Sequence, residues 1–175
     1  MTKNTIATIL IIILVFVGII WLAKPRGTPD GTTVAAVGTP TPPIARADEP
    51  ALTAAETFFN FGAVPINQGL VKHNFKVINS SAAAVKISKI YTSCMCTTAS
   101  IITSQDRKGP FGMPGHGLVP KANAVIGAGE EATIEVVFDP AAHGPAGVGR
   151  IEREIYLEDE RGGQTTLKFE ATVTP

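Results

Sequence analysis

The sequence has little that would support catalysis or nucleic-acid binding. Its 175 residues carry no net formal charge, so composition gives no support for the basic patch or stripe that nucleic-acid binding requires. It also lacks a Gly-x-Ser-x-Gly elbow, a P-loop, a dinucleotide fingerprint and a His-Glu-x-x-His motif. We therefore expect a protein without enzymatic activity and without a nucleic-acid partner.

Helical periodicity is missing from residue 51 onward, and alternation with a period of two takes its place. In VKHNFKVIN, the side chains of Val71, His73, Phe75 and Val77 share one face of a strand. ATIEVVFDP and TTLKFEATVTP alternate in the same way. About seven short strands separated by turn residues predict an all-β fold, an immunoglobulin-like antiparallel β-sandwich.

Two polar residues fall on apolar strand faces. We interpret His73 as a hydrogen-bonded core histidine, because a satisfied polar group is the commoner reason for this placement. Arg153 falls between Ile151 and Ile155 in RIEREIYLED. A charge at an inward position predicts an edge strand or a bulge there.

The chain before this domain divides into two segments. Ile6 to Ala23 is an uncharged run of eighteen residues, which as a helix would span roughly 27 Å, close to the thickness of a bilayer core. We predict one N-terminal transmembrane helix in residues 1–23, uncleaved because Lys24-Pro25-Arg26 follows it directly. Residues 24–50 are rich in Pro, Gly and Thr, which predicts a disordered linker to the domain at 51–175.

Cysteine is the scarcest reactive residue, and both copies lie in TSCMCTTA, as Cys94 and Cys96. Three interpretations remain open: a metal clamp, a redox pair, or two small apolar side chains in a loop. A Cys-x-Cys disulfide would close a very small ring and be strained, and strained disulfides are labile rather than structural.

Other potential metal ligands lie in nearby loops: Met113 and His116 in FGMPGHG, and His143 in DPAAHGPAG. Thiolate, thioether and imidazole together suit copper, with the sulfur ligands favouring Cu(I). Zinc would accept two thiolates and two imidazoles, but structural zinc sites usually space their cysteines by two to four residues. Copper is thus the candidate cofactor, with Cys94, Cys96, Met113, His116 and His143 as candidate ligands.

Five segments of the chain form an ordered series: FNFGAVPINQGLVKHNFKVIN, ISKIYTSCMCTTA, GAGEEATIEVVFDP, GRIEREIYLEDE and TTLKFEATV. Together they resemble a bacterial domain-of-unknown-function family that is related to Hydin-type immunoglobulin-like domains. The family carries a Ser-Cys-Gly-Cys-Thr signature and a Pro-Gly-Glu turn; here Met95 replaces the signature glycine and Ala128 replaces the proline. Residues 104–125 form a longer insertion.

The resemblance implies an exported domain without established enzymatic activity. We therefore expect a single-pass membrane protein with its C-terminal domain extracytoplasmic, because the charges flanking the apolar run do not fix the orientation themselves. The expected function is a binding or assembly module for a protein partner, held at the membrane by its N-terminal helix. The alternative is a copper-handling protein that uses the cysteine motif and the Met-Pro-Gly-His loop.

Overall fold

The structure is a computed structural model that describes residues 51–115 and 121–175. These residues form ten β-strands and one short 3-10 helix, Gly144–Gly147. The strands are β1 Leu52–Ala54, β2 Phe58–Pro65, β3 Val71–Asn79, β4 Val85–Thr92, β5 Thr97–Ile102, β6 Arg107–Phe111, β7 Ala124–Ile126, β8 Glu131–Phe138, β9 Gly149–Asp159 and β10 Gln164–Thr174.

The strands form two five-stranded sheets. Sheet 1 has the order β1-β3-β8-β5-β6, and sheet 2 has the order β2-β10-β9-β4-β7. All pairs are antiparallel except β2 with β10, which run parallel. The prediction of an all-β fold built from two sheets is confirmed, but the wholly antiparallel arrangement is wrong. Most of the domain separates β2 from β10 in the chain, so no tight hairpin forces them to run antiparallel.

The core lies between the inner faces of the two sheets, as the alternation predicts. Phe75 and Val77 of β3 are fully buried, while Lys76 between them is exposed. The same alternation buries Ile134 in β8 and Phe169 in β10. Since each such side chain contributes roughly 1.5–3 kcal/mol on burial, the alternating faces supply the main driving force for folding.

His73 lies in an aromatic cluster at the rim of this core. Its ring stacks on Phe59 with centroids 3.6 Å apart and meets the edge of Phe75 at 4.5 Å. Its Nε2 lies 2.9 Å from a carboxylate oxygen of Glu56. The prediction of a hydrogen-bonded histidine packed on the core is confirmed, although the side chain is half-buried rather than fully enclosed.

The described residues form ten strands, so the prediction of about seven strands is wrong. The three strands that were not predicted are β1, β6 and β7. Two of the three come from the insertion at 104–125, which is not a simple loop. Arg107–Phe111 pairs with β5 at the edge of sheet 1, and Ala124–Ile126 pairs with β4 at the edge of sheet 2. The insertion therefore widens both sheets.

The interpretation of β9 as an edge or bulged strand at Arg153 is wrong. Strand β9 lies between β10 and β4 in sheet 2, and its pairing with β10 continues without a break through Arg153, opposite Phe169. The irregularity in the β4–β9 pairing falls between Ile87 and Lys89. Arg153 is tolerated in a central strand because its side chain has a buried polar partner, described below.

The expected transmembrane helix in residues 1–23 and the linker in residues 24–50 lie outside the described residues. Within residues 51–115 and 121–175, no helix has the length and apolar character needed to cross a membrane. The membrane anchor therefore stays a prediction from the sequence.

Candidate metal and thiol site

Two connections between the sheets meet at one end of the sandwich. Residues 93–96 join β4 of sheet 2 to β5 of sheet 1, and residues 139–148 join β8 of sheet 1 to β9 of sheet 2. The amide of Asp139 donates a hydrogen bond to the carbonyl of Cys96 at 2.9 Å. The first connection carries both cysteines and the second carries His143, so the topology brings these residues together.

The cysteine turn is held firmly by its neighbours. The buried Thr92 hydroxyl lies 3.0 Å from the carbonyl oxygens of both Cys94 and Thr97. Ser93 forms two hydrogen bonds with the backbone of Glu154 on β9, each 2.9 Å long. Because these contacts fix the backbone on both sides of the cysteines, the positions of the two thiols are preorganised.

The functional side chains form a compact cluster. The Sγ atoms of Cys94 and Cys96 lie 2.8 Å apart, and Cys94 Sγ lies 3.2 Å from Nε2 of His143. One ligand atom from each of these three residues lies within 4.8 Å of the other two. Arg153 donates from Nε to Cys96 Sγ at 3.3 Å. We call Cys94, Cys96, His143 and Arg153 the dithiol site.

The two thiols differ in their exposure to solvent. Cys96 is 3% exposed, whereas Cys94 is half-buried and His143 is exposed. An open depression on the surface reaches Cys94 but not Cys96. It is lined by Ser93, Cys94, His143, Glu152, Arg153 and Glu154.

The pKa values of the two thiols also differ, and the more exposed thiol, Cys94, has the lower pKa. Burial raises the pKa of Cys94, but hydrogen bonds from the Cys96 thiol, the Cys96 amide and His143, with the charge of Arg153, outweigh it and lower the pKa to about 7. Burial and the hydrogen bond to Cys94 raise the pKa of Cys96, although Arg153 opposes this. At neutral pH Cys94 is therefore the thiol that more readily loses its proton.

Three of the five predicted ligands lie in this cluster: Cys94, Cys96 and His143. Met113 is half-buried just after β6, where the carbonyl of the preceding Gly112 accepts a hydrogen bond from the Thr92 amide at 3.3 Å. In the part of the chain that the structure describes, Met113 does not line the depression. His116 lies outside the described residues. The roles of Met113 and His116 stay predictions.

Sequence reasoning missed Arg153 as a member of the site. The signal was present, because a charged residue interrupts an otherwise apolar inward face of β9. A buried charge requires a partner, and here the partner is a thiol 57 residues away in the chain. Fold and site together define a two-sheet β protein that carries a dithiol and a histidine where its sheets connect.

Comparison with protein families supports the resemblance in part. Residues 52–110 match the model of a family described as a protein of unknown function, DUF1573. The match supports a bacterial domain of unknown function and includes the cysteine motif. No curated protein matches the chain.

Comparison with solved structures gives matches at low sequence identity. A protein of unknown function from Porphyromonas gingivalis is 14% identical with a TM-score of 0.52, and the match covers 75% of this chain and 50% of that protein. The chain thus spans half the length of that relative. The PapD-like domain 7 of human CEP192 is 10% identical with a TM-score of 0.46, over 81% of this chain and 98% of that domain.

Proposed function

We propose that the chain is a non-catalytic immunoglobulin-like binding module whose ligand is Cu(I), held by Cys94, Cys96 and His143. The observation that carries the proposal is the convergence of two sulfur atoms and one imidazole nitrogen within 4.8 Å of one another. Exposed acidic clusters are common without a metal, but two of the three ligands here are thiol sulfurs and the third is an imidazole. Soft thiolates favour ions such as Cu(I), and imidazole also suits copper.

The number of ligands favours Cu(I) over structural zinc. Structural zinc sites are almost always tetrahedral with four protein ligands. The described residues offer three His, Cys or carboxylate ligands in this group, which suits the low coordination number that Cu(I) accepts. A further ligand from Met113 would also favour Cu(I), because thioether sulfur is a ligand that soft ions prefer.

The charge of the site also favours a monovalent ion. Two thiolates and Cu(I) carry one net negative charge, and Arg153 lies in hydrogen-bond contact with Cys96 Sγ at 3.3 Å. The positive charge of the Arg153 guanidinium therefore balances the net negative charge of the copper-loaded site. A divalent ion would neutralise both thiolates and leave the half-buried Arg153 without an anionic partner, which is costly away from water.

We further propose that the module works at the outer face of a membrane. The apolar run from Ile6 to Ala23 is long enough to anchor it, and the segment 24–50 is of a composition that forms a flexible tether. The sequence motifs resemble a bacterial family whose members are typically exported, and this resemblance supports the extracytoplasmic orientation. We also retain the broader interpretation that the module binds a protein partner. In this proposal the module delivers Cu(I) to that partner or receives Cu(I) from it.

The test is a Cu(I) titration of the purified full chain in detergent, under anaerobic, reducing conditions and against a competing Cu(I) chelator. We expect one Cu(I) per chain by native mass spectrometry, with Cys94→Ser and Cys96→Ser each weakening binding by at least about a hundredfold. His143→Asn should weaken it by roughly tenfold or more.

His73→Asn is the matched control, because His73 contacts Glu56 and Phe59 and is not part of the cluster. It should leave the stoichiometry and affinity for Cu(I) unchanged. A chain that holds no Cu(I), or one whose affinity is the same in both cysteine variants, would refute copper binding at this site. Zinc offered in parallel should bind more weakly than Cu(I).

A further inference from the structure

The dithiol site is asymmetric in a way that metal binding does not require. Cys94 lines the open depression, whereas Cys96 is 3% exposed and lies behind it. Their sulfur atoms are 2.8 Å apart. A reagent arriving from solvent therefore meets Cys94 first, and Cys96 is already within reach of whatever forms there.

We propose that Cys94 is a site of thiol–disulfide exchange, with Cys96 as the resolving thiol, and that the pair reacts with small or protein disulfides that enter the depression. This inference rests on the proposed function, because it makes copper binding depend on the redox state of the pair. Reduced Cys94 and Cys96 hold the ion, and the oxidised pair does not.

The exchange proceeds in two balanced steps. The Cys94 thiolate attacks one sulfur of the incoming disulfide, forming a mixed disulfide and expelling the other sulfur as a thiolate. The expelled thiolate takes the proton of the Cys96 thiol. The Cys96 sulfur then attacks Cys94 Sγ, forming the Cys94–Cys96 disulfide and expelling the second thiolate. The incoming disulfide is reduced by two electrons, and the protein dithiol is oxidised by two.

The surroundings of the sulfurs favour both steps. His143 Nε2 lies 3.2 Å from Cys94 Sγ, and Arg153 donates to Cys96 Sγ at 3.3 Å, so each sulfur has a polar partner that stabilises negative charge. The depression is open enough to admit a disulfide next to Cys94. The product closes a very small ring and is strained, so external thiols should reduce it readily and the switch should be reversible.

The test mixes the copper-free full chain in detergent with glutathione disulfide under anaerobic conditions. Samples are quenched with acid at successive times, and peptide mass spectrometry locates the glutathione adduct and the internal disulfide. Wild type should pass through a glutathione adduct on Cys94 to the internal disulfide. Cys96→Ser should stop at the adduct on Cys94. Cys94→Ser should react at least about tenfold more slowly, because Cys96 is shielded.

The wild-type time course keeps the test independent of whether the variants fold. An adduct found mainly on Cys96, or a wild-type chain that keeps the mixed disulfide without forming the internal one, would overturn the proposal. Exchange with the predicted pattern in a chain that never binds Cu(I) would uphold the exchange and refute only the proposed function. In a chain that binds Cu(I), oxidised protein should take up none until a thiol reductant is added; uptake before reduction would overturn the redox control of copper binding.

Discussion

At the residue scale, Arg153 should control the reactivity of the exposed thiol. Burial raises the pKa of Cys94, and hydrogen bonds together with the charge of Arg153 bring it to about 7. Arg153→Gln removes the charge, so the pKa of Cys94 should rise and less thiolate should be present at neutral pH. We expect alkylation of Cys94 by iodoacetamide at pH ~7 to slow by a few-fold.

The measurement is the pH profile of that alkylation, with Cys94 followed by peptide mass spectrometry. In wild type the rate should rise with pH through about 7, and in Arg153→Gln the midpoint should move to higher pH. Arg150→Gln is the control, since Arg150 lies on the same strand but its guanidinium contacts Glu170. Equal midpoints in all three proteins would mean that Arg153 has no electrostatic role.

A second residue-scale prediction concerns Asn79, the fully buried last residue of β3. Its Nδ2 lies 2.8–3.0 Å from the carbonyl oxygens of Ala83, Ile126 and Gly127. Its Oδ1 accepts from Ser81. Asn79→Ala would leave several polar groups without partners, so we expect the free energy of unfolding to fall by about 3 kcal/mol.

Asn74→Ala provides the comparison, because Asn74 lies on the exposed face of the same strand. It should change the free energy of unfolding by less than about 0.5 kcal/mol. Both variants are measured in the full chain by urea denaturation followed by far-ultraviolet circular dichroism. Similar destabilisation by the two substitutions would show that the hydrogen bonds of Asn79 are not important for stability.

The residue scale also shows what sequence could predict about the site. Cys94, Cys96 and His143 could be predicted as candidate ligands from their side-chain chemistry alone, and the structure places the three in one cluster. Arg153 was misassigned because a charged residue at an inward position of a strand is usually explained by an edge strand or a bulge. Its actual partner, Cys96, is distant in the chain. A contact that depends on two sheets meeting cannot be derived from local spacing.

At the element scale, the edge strand β6 should depend on Gly109. Its φ is +119°, and an added Cβ would lie 2.9 Å from both the carbonyl oxygen of Ala99 and the hydroxyl of Ser100. Gly109→Ala therefore combines backbone strain with a clash against β5. We expect a loss of about 3 kcal/mol in the free energy of unfolding, with faster hydrogen exchange at the amides of β6.

Gly62→Ala separates strain from clash. Gly62 also has a positive φ, +70°, but an added Cβ there would meet no heavy atom within 4 Å. It should cost only about 1 kcal/mol and leave hydrogen exchange in β6 unchanged. If the two alanine variants are equally stable, the close approach of β6 to β5 contributes nothing.

Elements with strong alternation were predictable, and the short edge elements were not. Strands β3, β8 and β10 each alternate over eight or more residues, so the local sequence pattern is sufficient to predict them as strands. By contrast, β1 and β7 have three residues each, and β6 reads RKGPF with a glycine and a proline. These become strands because a neighbouring strand offers backbone partners, which local sequence does not reveal.

At the scale of the whole molecule, the order of the strands creates the site. Strand β4 passes to sheet 1 through the cysteines, and β8 passes to sheet 2 through His143, with both crossings at one end. The proximity of Cys94 and His143, 49 residues apart in the chain, follows from that topology. The sequence supplied the ligand types, but only the fold determines which of them meet.

The membrane anchor leads to the final prediction. Removing residues 1–23 should move the protein from the membrane fraction to the soluble fraction, because the apolar run from Ile6 to Ala23 is the part long enough to span a bilayer. Removing residues 24–50 should leave it in the membrane fraction, since that segment lacks such a run. Fractionation of cells that express each variant measures both outcomes.

The same cells can report the side on which the domain lies. Cys94 and Cys96 are the only cysteines of the chain, and Cys94 lines the open depression. A membrane-impermeant maleimide therefore acts as a probe of topology when intact spheroplasts are first treated with a membrane-impermeant reductant, which opens any Cys94–Cys96 disulfide on the outer side. An extracytoplasmic domain should be labelled at Cys94 before lysis, and Cys94→Ser should lose most of that label. Labelling that appears only after lysis would place the domain in the cytoplasm, where thiols are kept reduced, and would remove the oxidising conditions that the exchange at Cys94 requires.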